Sequence, residues 1–305
     1  MTVVQEWVET PALTVNRLCG SGLQAVVSAA QSILLGDCDI ALAGGTENMS
    51  RAPFHAPSVR WGTKMGSAPL DDILDGALRD PFHRVLMGIT AENVATRYGI
   101  SREDQDALAC ESHKRASHAV KAGYFKDQIV GVEVKTRKGP AVFDTDEHVR
   151  HDTTVADFRS MHPVFKRDGG SVTAGNASGI NDGAAAIVLA SGAAVARLKL
   201  TPMARLMAYA HAGVDPLYMG LGPIPATKSA LKKAGLAIDE IDTIESNEAF
   251  AAQACAVSRE LGFDPARVNP NGSGISLGHP VGATGASIPS RPCTNSRAPA
   301  GGMHW

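Results

Sequence analysis

The 305-residue chain has no surplus of either charge: 29 lysines and arginines stand against 31 aspartates and glutamates, a net charge of −2. A general nucleic-acid or polyphosphate binder needs excess cations, and this balance argues against that class. Cysteine is sparse as well. Cys19, Cys38, Cys110, Cys255 and Cys293 are odd in number, scattered, and form no C-x-x-C pair. That argues against a disulfide framework and a structural zinc site, and leaves most of them as small buried apolar residues. No stretch approaches the ~20 continuous apolar residues of a membrane span. The opening MTVVQEWVET has neither the basic start nor the apolar run of a secretory signal. The expectation is a cytoplasmic protein that meets neither membrane nor nucleic acid. Aromatics are scarce at 5%, whereas glycine is plentiful at 31. That pairing suits tight turns and close backbone approach, as in α/β folds with functional loops.

What is present reads as α/β. At roughly 150 residues per domain the length gives two domains or one large unit. Residues 12–15 read as a short strand, followed by the glycine turn Cys19-Gly20-Ser21-Gly22. Leu23, Val26, Val27, Ala30, Ile33 and Leu34 then recur at helical spacing, and Gly36 stands where a helix stops. A buried strand over 39–43 completes a βαβ unit, which implies a parallel sheet. Residues 50–81 hold many prolines and glycines and read as a long surface excursion. Ser101 with Asp104 opens a helix in the manner of a capping box, with Gly123 as its stop. The charged stretch 121–150 reads as exposed hairpin or loop, and 185–189 as a strand. A second α/β block places a helix near 227–234, a strand at 243–245 and a helix through 249–261.

Three residues carry candidate chemistry. Cys19 precedes a helix start, where free N–H groups and the dipole favour a thiolate. The plainer reading is a buried cysteine in a turn. His279, in Gly278-His279-Pro280, is held yet approachable and suits a general base near pKa ~6.5. His113 and His118, on a charged helix, read as merely solvated. Asn247 precedes a helix and reads as a cap, or as an amide that orients a water or donates to an oxyanion. Residue types alone allow a cysteine hydrolase as well.

The run Val15-Asn16-Arg17-Leu18-Cys19-Gly20-Ser21-Gly22-Leu23-Gln24-Ala25-Val26 resembles the nucleophile motif of the thiolases, and Gly44-Gly45-Thr46-Glu47-Asn48-Met49-Ser50 continues it. Asn247-Glu248-Ala249-Phe250-Ala251-Ala252-Gln253 and Gly278-His279-Pro280-Val281-Gly282-Ala283-Thr284-Gly285 resemble the two later active-site motifs, in order. The likeness runs from about residue 13 to 286 and is nearest to bacterial β-ketothiolases and acetyl-CoA acetyltransferases. It implies two similar βαβαββ halves with an inserted loop domain: 1–190 with the loop domain at about 50–170, then a partial half at 191–286. It implies acyl transfer between coenzyme A and a 3-ketoacyl-CoA, with acetyl-CoA as co-substrate, no permanently bound cofactor and a homo-oligomer. Cys19 would accept the acyl group, His279 would activate it, and Asn247 would hold a water at the thioester oxygen. Arg150 would lie near the CoA nucleotide. Leu78, Met87, Phe165, Ala174, Ser178, Met219 and Phe250 would line the pantetheine tunnel.

Departures from the pattern raise further expectations. Leu86 stands where close relatives commonly have histidine. The family carries an additional βα segment before the nucleophile strand, so the fold is expected to be incomplete at both ends. Beyond Ala286 the pattern stops, Pro289 and Pro292 are expected to break the helix, and 287–305 is expected to be a non-matching tail. Cys293 lacks the glycine loop of the family's second catalytic cysteine. Two alternatives to turnover therefore stand: an inactive CoA- or acyl-CoA-binding fragment, and a cysteine-dependent thioester hydrolase.

Overall fold

The computed structural model describes residues 8–294, with side chains through Arg291. A 3₁₀ turn at Leu18–Gly20 leads into helix α1, Ser21–Leu35, which buries Val26, Val27 and Ala30 and ends at Gly36 with φ +83°. Strand β1 follows at Ile40–Asn48. The excursion after it holds only the short pair β2 (Phe54–His55) and β3 (Asp71–Asp72), 3₁₀ turns and the five-residue helix α2, Ile73–Ala77. Helices α3 (Met87–Tyr98) and α4 (Arg102–Ala122) come next. The capping box at Ser101 and Asp104 forms as expected, and Gly123 closes α4 at φ +75°. Strands β4 (Val132–Thr136) and β5 (Gly139–Phe143) make the exposed hairpin expected there. Helix α5 (Val155–Arg159), strand β6 (Asp182–Ala190) and helix α6 (Gly192–Leu198) complete the first part. Helices α7 (Pro223–Ala234), α8 (Ala251–Leu261), α9 (Gly274–Leu277) and α10 (Val281–Thr294) make up the second.

The sheet differs from the sequence expectation. Residues 11–17 carry no regular structure, and Leu13 is 78% exposed. A strand forms only where a neighbour takes its N–H and C=O groups, and 12–15 has no ladder partner among the described residues. β1 instead pairs antiparallel with β6, from Ile40 opposite Ala190 to Asn48 opposite Asp182. The expected parallel pairing survives as a single bridge, Ile244 to Val268, in place of a strand at 243–245. α1 and α10 pack on the β1–β6 ribbon. The opposed pair Leu42 and Val188 is exposed.

The main core lies elsewhere. Val94 of α3, Ile224 and Leu231 of α7, and Ala256, Val257 and Leu261 of α8 pack with Ile241 and Ile244. A second cluster joins Ala109 and Cys110 of α4 to Phe158, Ala251 and Ile275. Cys110 is the buried cysteine expected from the sequence; Cys38 and Cys255 are half-buried. His113, expected in solvent, is buried in this layer because α4 is covered by α5, α8 and α9. His118 is exposed as expected.

One more expectation changes. α10 runs through Pro289 and Pro292 to Thr294. Each interior proline costs about 3 kcal/mol of helix stability, which is set against the burial of Ala283, Ala286 and Arg291 under the neighbouring elements. Cys293 lies on this helix, its side chain outside the described residues. The segment Leu18–Leu35 has mean hydropathy 1.4 and is long and apolar enough by composition to cross a membrane. Gln24, Ser28, Gln31 and Ser32 interrupt it, and it packs on β1 and α10.

Candidate active site

Glycines bring the motifs together. A Cβ on Gly45 would fall 2.0 Å from the Gly282 carbonyl oxygen, and one on Gly22 would fall 2.4 Å from the Ala286 nitrogen. The nucleophile turn, the end of β1 and the start of α10 therefore touch backbone to backbone. The 3₁₀ turn bearing Cys19 rests on α10, two residues after His279. No hydrogen bond joins Cys19 to His279 among the described residues.

Cys19 is exposed, yet its thiol pKa is raised above the ordinary value. Desolvation is the main cause; its own backbone N–H opposes this, and the Glu47 carboxylate adds to the rise. Cys19 sits in the turn before α1, and the direction of this shift runs against the thiolate expected at a helix start. Glu47 is itself held in place, accepting from the Gly282 N–H at 3.0 Å.

His279 is buried, and its pKa falls to about 4, first through desolvation and then through the Arg291 charge. The sequence expectation of ~6.5 is corrected, since a histidine inside a glycine loop proves covered, not open. Its tautomer follows from the neighbouring hydroxyl. Thr284 Oγ1 lies 2.7 Å from His279 Nδ1 and donates to the Pro280 carbonyl at 3.0 Å. A hydroxyl has one proton and a carbonyl only accepts, so Nδ1 carries the hydrogen and donates to Thr284. The lone pair is then on Nε2. Asn247 Nδ2 stands 3.3 Å from that atom and 3.5 Å from Nδ1, so it faces the ring as a whole. The His279 backbone N–H donates to Asn181 Oδ1 at 2.9 Å, and the Asn181 side chain fills the place a Cβ on Gly278 would take.

Asn247 is not a helix cap. The N-cap of α8 is Phe250, three residues on. Asn247 Oδ1 is buried and has no hydrogen-bond partner among the described residues. An orphaned acceptor beside an imidazole is a site for a donor such as water or a substrate group. The loop around it holds Glu245, whose pKa rises to about 7, and Glu248, also raised; burial is the main cause for both.

Of the residues expected along the tunnel, five are linked. The Met87 N–H donates to the Leu78 carbonyl at 2.9 Å. Gly88, next to Met87, leaves room for the Phe165 ring, which meets Phe250 edge-on at 6.2 Å. Ala177 bridges to Phe250, and the Ser178 N–H donates to the Ala249 carbonyl. Ala174 is exposed in the same loop. Met219 lies in the 3₁₀ turn Pro216–Leu221, which packs on α3 and α8. Arg150 is exposed and fixed through its backbone N–H to His113 Nδ1. A groove of about 540 Å³, lined in part by Asn16, Leu18, Glu47, Met49 and Leu78, runs beside the nucleophile turn; Cys19, His279 and Asn247 do not line it.

The family model of the thiolase N-terminal domain matches residues 4–193, and that of the thiolase C-terminal domain matches 200–295. This chain belongs to the thiolase family. It is 66% identical over 281 residues to the beta-ketothiolase BktB of Cupriavidus necator, covering 92% of this chain and 71% of that protein. It is 54% identical to an acetyl-CoA acetyltransferase of Syntrophomonas wolfei, covering 92% of this chain and 72% of that protein. Among solved structures, human mitochondrial 3-ketoacyl-CoA thiolase superposes with a TM-score of 0.92 at 48% identity, over 95% of this chain and 73% of that one.

Membership makes this thiolase an acyltransferase that works on coenzyme A thioesters, by thiolysis or condensation. Sequence reasoning missed three residues around the thiolase motifs. Thr284 was visible within the third motif, five residues after His279. Glu47 lay in the quoted extension of the first. Asn181, 98 residues from its partner, left no local signal.

Proposed function

We propose that Cys19 receives the acyl group of a 3-ketoacyl-CoA or of acetyl-CoA as a thioester, with His279 Nε2 as the base. The observation that carries this is the Nδ1–H tautomer that Thr284 favours, which leaves the lone pair on Nε2, with Asn247 Nδ2 against the same ring. A thiol of raised pKa and an imidazole of lowered pKa, brought together by substrate binding, favour two neutral partners over a resting ion pair. The proton therefore leaves sulfur as the S–C bond forms, in general-base fashion. From a 3-ketoacyl-CoA, the tetrahedral adduct collapses by breaking the carbon–carbon bond, and the departing acetyl-CoA carbanion takes the proton that His279 removed from Cys19. The thiol of a second CoA then attacks the acyl-Cys19, its proton passing through His279 to the released Cys19 sulfur. From acetyl-CoA alone, the first step expels CoA thiol. Asn247, with a water at its orphaned Oδ1, stabilises the thioester oxygen.

Leu78, Met87, Phe165, Ala174, Ser178, Met219 and Phe250 would enclose the pantetheine arm, and exposed Arg150 would meet the nucleotide phosphates. The same reading divides the chain at 190 and 286, with the loop domain at about 50–170 and a tail at 287–305. It makes the protein a cytoplasmic homo-oligomer. The test is to expose the full chain to acetyl-CoA and map the acetyl group by peptide mass spectrometry. Label on the Cys19 peptide, lost in Cys19→Ser, is expected; label spread over Cys38 and Cys255 contradicts the assignment.

A further inference from the structure

Arg291 lies on α10, close to the end of the described residues, yet only 8% of it is exposed. Its Nη1 stands 3.6 Å from Glu245 Oε2 and 3.5 Å from Ser273 Oγ. Glu245 is buried, and neither of its carboxylate oxygens has a hydrogen-bond partner among the described residues. Its neighbour in the loop, Glu248, is satisfied differently. It accepts from Ser112 Oγ at 2.6 Å, Asn269 Nδ2 at 2.9 Å and the Ile275 N–H at 3.4 Å. Glu245 depends on Arg291 in a way that Glu248 does not.

The two residues that Arg291 reaches flank Asn247 on both sides. Glu245 is two residues before it. Ser273 adjoins Gly274, whose missing side chain leaves room for Asn247 Oδ1, and Ser273 Oγ donates to the Ser246 carbonyl at 2.9 Å. The titratable groups around Arg291 are Glu245 and Glu248 from the loop, Asp146 with His148 from the segment before Arg150, and His279 from the third motif. The Arg291 charge acts on Asp146, Glu245, Glu248 and His279.

We propose that Arg291 is a positioning residue for the acyl-transfer site: through Glu245 and Ser273 it fixes the Ser246-Asn247 segment against His279. This rests on the assignment of His279 and Asn247 to acyl transfer. Removing one partner of a buried ion pair leaves an uncompensated charge in the interior, so the turn moves or the carboxyl takes a proton. Lysine keeps the charge but not the planar, multi-donor reach of guanidinium.

The experiment compares the full chain with Arg291→Met, Arg291→Lys and the double variant Arg291→Met/Glu245→Gln. Two readouts serve: NMR titration of ¹³C-labelled histidines, and the pH profile of Cys19 acylation by acetyl-CoA. Arg291→Met is expected to raise the His279 titration toward the ordinary ~6.5, to move the acid limb of the profile the same way, and to lower its plateau about tenfold. The double variant should recover the plateau without recovering the acid limb. Arg291→Lys should keep the acid limb and lose plateau rate. An unshifted His279 in folded Arg291→Met overturns the proposal, as does a full plateau in Arg291→Lys, the variant that decides if Arg291→Met does not fold. Absence of acylation in the unmodified chain would sink the assignment of Cys19 instead, while the histidine titration would still judge Arg291.

Discussion

One hydroxyl proton decides which face of His279 can act. Thr284 Oγ1 gives its hydrogen to the Pro280 carbonyl and so takes the hydrogen of Nδ1. Thr284→Val removes that acceptor at nearly constant shape and lets the imidazole adopt the other tautomer, with its hydrogen on Nε2. The expected outcome is a loss of about tenfold or more in Cys19 acylation, equivalent to ~1.4 kcal/mol, with little change in fold, measured by single-turnover kinetics beside a circular dichroism melt. At this scale the identities of Cys19, His279 and Asn247 were legible because each stands in a dense local motif. Their ionisation was not. Burial shifts both groups, with the Glu47 carboxylate adding at Cys19 and the Arg291 charge at His279, and the local motifs report none of this.

The joint between β1 and α10 is built from missing side chains. Gly45 and Gly282 meet so closely that a methyl on Gly45 would overlap the Gly282 carbonyl. Gly45→Ala is expected to push α10 away and destabilise the chain by about 1–3 kcal/mol or more, the usual cost of overpacking, read from the urea midpoint. Acylation should fall with it, since His279 immediately precedes α10. Gly36→Ala, at a left-handed helix end with open space around it, should cost stability without touching acylation. Helices α4, α7 and α8 were legible from caps, glycine stops and spacing. The strand at 12–15 was misread because alternation reports what a strand could bury, not whether a partner lies alongside. α10 was misread in the opposite sense: proline statistics describe local cost and are blind to the packing of Ala283 and Ala286.

Across the whole molecule, buried ionisable groups tie stability to pH. His113 lies beneath Phe158 and beside His148, and burial together with the Arg150 charge holds its pKa at about 4. A histidine whose folded pKa lies below its unfolded value of ~6.5 binds protons more readily when unfolded. Its contribution is therefore complete above pH ~6.5 and is lost as pH falls toward 4. Relative to His113→Gln, the unmodified chain is expected to lose stability between pH 7.5 and pH 5, shown by urea unfolding at both values. An equal difference at the two pH values would contradict the burial of His113. The thiolase architecture was legible at this scale because the motifs recur in order along the chain. The antiparallel β1–β6 pairing was not, since those strands lie far apart in sequence and alternation alone does not choose a neighbour.

The central claim is that Cys19 carries the acyl group and His279 removes its proton. Single-turnover acetylation of Cys19 by acetyl-CoA, compared between the unmodified chain and a folded His279→Ala variant, tests it most directly. A slowing of ~10²–10⁴-fold, the range for a positioned general base, is the predicted result. Acetylation of Cys19 at an unchanged rate in His279→Ala would contradict it.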